Sequence, residues 1–169
     1  MVANADGPLA LLRADGQGRL FDYKSAFPGF DQDALATGLA VGDFDQDGDD
    51  DLIVLRTETS VVSVHLNDGI GNFTNAVNFT VPDDGDGVVP TDVNDDGILD
   101  LVISHLKDDD LSVWIGNGFG GFDAAPGLKM PAGNKPIESI GVIAADVGVG
   151  ASVDVIGEEH KRLPASHRS

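Results

Sequence analysis

The chain has 169 residues, enough for one domain with a real core, and 41% of them are hydrophobic, which excludes a disordered acidic tail. A formal charge of −19 disfavours nucleic acid and anionic membrane surfaces as partners and predicts solubility and an affinity for cations. The absence of cysteine excludes disulfides, thiol catalysis and thiolate metal sites, and no apolar run approaches the roughly 18 residues that would span a membrane.

Twenty-five Asp stand against four Glu, together with 22 Gly. Glu favours helices whereas Asp favours turns, caps and ligation, so the imbalance argues for an all-β chain with many tight turns. Met1–Leu12 lacks a basic start and a long apolar core, so no signal peptide is expected.

In chain order, Pro8–Arg13 reads as a strand, Asp15–Gly18 as a turn and Leu20–Tyr23 as a second strand, together the closing half of a repeating unit. Leu39–Val41 then leads into an acidic loop, and Leu52–Leu55 leaves it as a β-branched run too short for a helix. Val61–Leu66 alternates and enters Asn67-Asp68-Gly69, a hairpin signal, after which Phe73–Val81 closes a four-stranded unit. Asp83–Gly87 reads as a connection. A second unit follows, with Leu101–Ser104, Leu111–Ile115, a glycine-rich turn and a last strand opened by Phe122. Lys129–Pro136 reads as another connection, and Ile140–Ala145 opens a further half unit. The pattern stops after Gly157, and 158–169 is expected to be a disordered polar tail.

The acidic loops carry the chemistry. Asp43-Phe44-Asp45-Gln46-Asp47-Gly48-Asp49-Asp50-Asp51-Leu52 and Asp92-Val93-Asn94-Asp95-Asp96-Gly97-Ile98-Leu99-Asp100-Leu101 share one pattern, with oxygens at places one, three, five and nine and glycine at six. Calcium takes six to eight oxygens at roughly 2.3–2.6 Å, and short acidic side chains on a tight loop supply them. Six Asp lie between positions 43 and 51, and neighbouring like charges repel by about several kcal/mol at an effective dielectric of about 20. Something must neutralise them. An EF-hand would need Glu at the twelfth place between helices, whereas Val54 and Ile103 stand there inside apolar β-runs.

Asn67-Asp68-Gly69-Ile70-Gly71-Asn72-Phe73 aligns with Gly116-Asn117-Gly118-Phe119-Gly120-Gly121-Phe122, and Ala14–Leu20 is a weaker copy. The loops step by 49 residues, the turns step by 49, and loop and turn are 25 apart in both units. A period near 50 with four strands per unit suggests propeller blades. A third loop, Asp146–Val155, keeps Asp146 and Asp154 but offers glycine at the third and fifth places, so it is expected to be vestigial.

Val41–Gly48 with Asp51-Leu52, Thr91–Gly97 with Asp100-Leu101, and the Gly-x-Gly-x-Phe turns resemble the FG-GAP family, also called VCBS or integrin α-like repeats. The resemblance covers residues 9–157, as two full repeats flanked by two halves, with 1–157 taken as the repeat segment. It implies antiparallel four-stranded blades of an integrin-α-like β-propeller, often of seven blades, with calcium in loops on one face. It places first-site ligands at Asp43, Asp45, Asp47 and Asp51 with the Asp49 carbonyl, and second-site ligands at Asp92, Asn94, Asp96 and Asp100 with the Ile98 carbonyl. About two calcium ions, an extracellular, secreted or periplasmic setting and adhesion to a protein or glycan are what it leads one to expect. The chain holds too little sequence for a seven-bladed ring, which leaves a fragment of a larger protein, homo-oligomers completing the ring, or an open stack. Loss of the pattern in the third loop and the tail together favours truncation.

Other constellations carry less. His65 and His105 occupy non-equivalent places, without HxxxH spacing, and read as partly exposed strand histidines. No Ser-His-Asp arrangement, Walker loop or dinucleotide fingerprint occurs, so no catalytic residue is assigned. The alternative is a carbohydrate-active enzyme domain in which calcium is structural. Trp114 is expected to pack between blades, and Asn72-Phe73-Thr74 and Asn78-Phe79-Thr80 match the glycosylation sequon.

Overall fold

The computed structural model describes residues 12–14, 16–17, 19–22, 36–73, 77–82, 85–105, 110–125, 139–145 and 154–159. All strand pairing among them is antiparallel. β1 (Leu12–Ala14) pairs with β2 (Leu20–Asp22). β3 (Gly38–Gly42), β4 (Asp51–Arg56), β5 (Val61–His65) and β6 (Val77–Thr80) form a four-stranded sheet in chain order. β7 (Gly85–Thr91), β8 (Asp100–His105), β9 (Asp110–Gly116) and β10 (Phe122–Ala124) repeat it. β11 (Ser139–Ala145) and β12 (Asp154–Glu159) make a last hairpin. The chain is all-β, with two meander sheets that are not closed into a ring, as the residue patterns imply.

Patterning explains the packing. Leu52, Ile53, Val54 and Leu55 of β4 are all fully buried. Successive strand side chains point to opposite faces, so an unbroken apolar run marks a strand covered on both sides. Ile53 and Leu55 join Ala40, Phe44, Val62 and Val64 against Val88, Leu101 and Ile103 of the second sheet. Leu52 and Val54 turn the other way, onto Ala36, Leu39 and Phe73. In the second sheet Val102 packs with Val113 on the opposite face. Each buried Val, Leu, Ile or Phe among them stabilises the stack by roughly 1.5–3 kcal/mol.

Aromatic rings bind the two sheets. Phe79 stacks on Trp114 with centroids 4.8 Å apart and on Phe122 at 5.7 Å, while Phe44 meets Phe122 edge-on at 5.8 Å. Trp114 therefore packs between sheets, as expected. β7 lies beside both β3 and β11. First strands of successive units thus adjoin, and the loops that follow β3 and β7 emerge at the same end.

Three expectations need correction or restriction. Gly85–Gly87 is no connection but the start of β7, with a register shift between Gly85 and Gly87 opposite His105 and Ser104. Gly85 is buried, and a Cβ there would stand 3.2 Å from Leu55 Cδ1. Close packing has overridden a composition that resembles a linker. His65 and His105 are buried, not partly exposed, at 0% and 3% of their surface. They lie at the ends of interior strands, where neighbouring strands and sheets cover them, and His105 Nε2 pairs with Ser112 Oγ at 2.7 Å. Residues 126–138 and 160–169, including most of the expected tail, lie outside the described residues; β12 itself continues through Glu159.

Candidate metal centre

Each acidic loop is closed at its base by a ladder pair, Gly42 with Asp51 in the first sheet and Thr91 with Asp100 in the second. Between these closures the backbone coils around its own carboxylates. Asp43 accepts from Asp47 N at 3.1 Å and Gly48 N at 3.1 Å, Asp45 from Asp47 N at 3.3 Å, and Asp47 from Asp49 N at 2.9 Å. Asp92 accepts from Asp96 N at 3.2 Å and Gly97 N at 2.8 Å, Asn94 from Asp96 N at 2.9 Å, and Asp96 from Ile98 N at 2.8 Å. Every bond recurs 49 residues later.

The backbone repeats as faithfully. Gln46 and Asp95 at the fourth place have φ of 62° and 60°, and Gly48 and Gly97 at the sixth have 94° and 83°. The left-handed region is cheap for glycine and costs other L-residues about 1–2 kcal/mol. The two turns of hand curl the loop back over its own first carboxylate, which accepts amides from places five and six.

The ninth-place aspartates do something the residue pattern did not reveal. Asp51 is 1% exposed, and its carboxylate accepts from Phe44 N at 2.9 Å and Asn67 N at 2.8 Å. Asp100 is fully buried and accepts from Val93 N at 2.9 Å and Gly116 N at 2.8 Å. Each buckles its loop to the turn between the third and fourth strands of the same sheet. The clue in the sequence is the equal 16-residue interval from Asp51 to Asn67 and from Asp100 to Gly116.

Asp43, Asp45 and Asp51 each present a carboxylate oxygen, all within 4.8 Å of one another. Ligands on opposite sides of calcium stand about 4.6–5.2 Å apart, so these oxygens suit one ion. Asp47 and Asp49 stand outside that group: Asp47 Oδ1 accepts the Asp49 amide, and the Asp49 carboxylate lies where a side chain on Gly69 would go. In the second loop Asp92, Asp96 and Asp100 form no equally close carboxylate trio among the described residues. Asn94 takes the third place there, and its Nδ2 donates to Asp96 Oδ2 at 2.9 Å. Ile98 lies against Gly116 and Gly118. The third loop, residues 146–153, is outside the described residues.

Electrostatics separate the loops. Burial raises the Asp45 pKa above its ordinary value, with repulsion from Asp47 and Asp43 adding to it against the opposing amide bond from Asp47. Burial also raises Asp51, assisted by Asp45 and Asp47 and resisted by its bonds from Asn67 and Phe44. Asp92 moves down, chiefly through the Gly97 amide. At Asp45 and Asp51 burial and neighbouring carboxylates thus outweigh the amide donors, a condition that a cation relieves.

Residues 43–103 match the family model of the FG-GAP-like repeat. The match covers 61 of the chain's 169 residues, and this segment is similar to that repeat. The match starts at Asp43, the first place of the first loop, and ends in β8, so it spans both acidic loops. No curated protein matches the chain. Among the described residues, no helix is long and apolar enough to cross a membrane. Outside the match, the 116–122 turn repeats the hydrogen bonding of the 67–73 turn: Asn117 accepts from Phe119 N at 2.9 Å and Gly121 N at 3.0 Å. Asp68 does the same for Ile70 N and Asn72 N in the earlier turn.

Proposed function

We propose that this chain is a calcium-stabilised, non-catalytic β-propeller-type module that binds a protein or glycan in a calcium-rich setting outside the cell. Asp43, Asp45, Asp47 and Asp51 with the Asp49 carbonyl would hold one ion, and Asp92, Asn94, Asp96 and Asp100 with the Ile98 carbonyl a second. Bound calcium neutralises the loop carboxylates and adds its binding energy to folding. The observation that carries this reading is the convergence of the Asp43, Asp45 and Asp51 oxygens in a loop whose hydrogen-bond frame recurs in the next sheet. The all-oxygen donor set suits a hard cation rather than zinc or copper. Solvent-exposed loops of extracellular modules bind calcium at roughly 10⁻⁴–10⁻³ M, which external calcium fills.

Calorimetric titration with calcium, joined to mass measurement in solution, tests the proposal. About two sites and a melting temperature that drops on chelation are expected, with the mass reporting whether copies associate. A titration without heat and a melting temperature indifferent to chelator would overturn the metal reading. Glycan-array and polysaccharide screens address the partner, and hydrolysis of any polysaccharide would overturn the non-catalytic assignment.

A further inference from the structure

We infer that the two acidic loops are energetically coupled, and that Gln46 is the positioning residue through which a cation in one loop raises the affinity of the other. The inference rests on the calcium reading above and concerns how this chain's own residues join the two sites.

Among the described residues, two hydrogen-bonded connections run between the loops. Gln46 stands between Asp45 and Asp47, and its left-handed backbone sets the direction of its side chain. Its Nε2 donates to the Gly97 carbonyl at 3.2 Å, and the Gly97 amide in turn donates to Asp92 Oδ2 at 2.8 Å. Gly118 makes room for this: a Cβ there would stand 3.2 Å from Gln46 Oε1. The second connection is main chain. Phe44 N donates to Asp51, and the Phe44 carbonyl accepts from Gly120 N at 3.0 Å. The turn that holds Gly120 begins at Gly116, whose amide donates to Asp100. Both ninth-place carboxylates are thus tied to one cross-sheet path.

An ion that draws the first loop's carboxylates together fixes the backbone at Gln46 between them. It thereby fixes a bond to the sixth place of the second loop. Ordering already accomplished by the first ion is not required again of the second, which makes the second bind more tightly. Linkage requires the effect to be equal in both directions. The corresponding residue of the second loop is Asp95, which has no side-chain N–H to give, so the link runs from the first loop's side chain to the second loop's carbonyl. Of the two connections, only this one can be removed without altering the main chain.

The test is calcium calorimetry on the full chain in a mutant cycle. Asp43→Asn weakens the first site, Asp92→Asn the second, and each is combined with Gln46→Gly. Glycine accepts the positive φ and Gln46 is exposed, so folding is preserved. In the wild-type background, disabling one site should weaken the other about fivefold, at the low end of coupling factors between sites. With Gln46→Gly both sites should still fill, and disabling one should leave the other within about twofold of its value, because only the main-chain path through Phe44 and Gly120 then remains. Gln46→Glu, which keeps the length but offers the Gly97 carbonyl no N–H, should give the same loss. Independent sites in the wild type, or full coupling in both Gln46 variants, would overturn the inference while leaving the calcium reading intact. Absence of binding in either loop would defeat both.

Discussion

Replacing Asp51 with alanine separates ion binding from the buckle that its carboxylate provides. The substitution leaves the Phe44 and Asn67 amides without their acceptor, one buried and one partly so. An unsatisfied buried donor costs about 1–3 kcal/mol. Against this, the raised Asp51 pKa shows that its ionised form is already disfavoured by burial and by Asp45 and Asp47, and removal returns part of that cost. The net loss in excess chelator should be about 2–3 kcal/mol, which for a chain of this size lowers the melting temperature by about 5–10 °C. Circular-dichroism melts of Asp51→Ala beside Asp43→Ala measure it. Asp43 accepts only exposed amides, Asp47 N and Gly48 N, to which water can substitute, so its loss without metal should be much smaller. Equal melting of the two variants in chelator would refute the buckle, since Asp51 would then matter through the ion alone.

Ligand charge should rank the sites: the first loop brings four side-chain carboxylates and the second three, so titration should resolve a tighter first site that Asp45→Asn brings toward the second. Stability should depend on pH in two opposing ways. Asp45 and Asp51 keep their protons to higher pH when folded than the reference 3.8, so their ionisation costs stability at neutral pH, and acidification through the raised values restores it. Asp68 and Asp92 are lowered, so the stability they contribute is present above 3.8 and is lost as pH falls through their folded values. In chelator, the melting temperature should therefore rise on mild acidification and fall at lower pH, while calcium affinity decreases throughout; a monotonic fall in chelator would contradict the first assignment. Phe79→Ala opens the aromatic contact between the sheets and should cost about 2–3 kcal/mol. It should also shift the emission of Trp114, the single tryptophan, to the red, and unchanged emission would show that Phe79 does not shield it.

Much of the candidate centre was legible because its determinants are local. Asp43 caps amides four and five residues away, and Gly48 supplies a left-handed turn, so ten residues contain most of what shapes the loop. Asp47 shows what spacing leaves open: its place in the motif makes it a ligand candidate, and its Oδ1 accepts from Asp49 N just as Asp45 Oδ1 accepts from Asp47 N. Whether an oxygen points to the loop centre or to a nearby amide is decided by competing bonds of similar strength, and spacing does not distinguish them.

The sequence by itself determined the two loops, their 49-residue step and the antiparallel meander. Alternating apolar residues, turn glycines and short acidic side chains act over a few positions and need no distant partner. Tertiary structure alone decided that Gly85–Gly87 would join β7, that His65 and His105 would be buried, and that Asp51 and Asp100 would strap loop to turn. Those outcomes depend on which sheet stacks on which, because burial and the satisfaction of buried amides are set by neighbours many residues away along the chain.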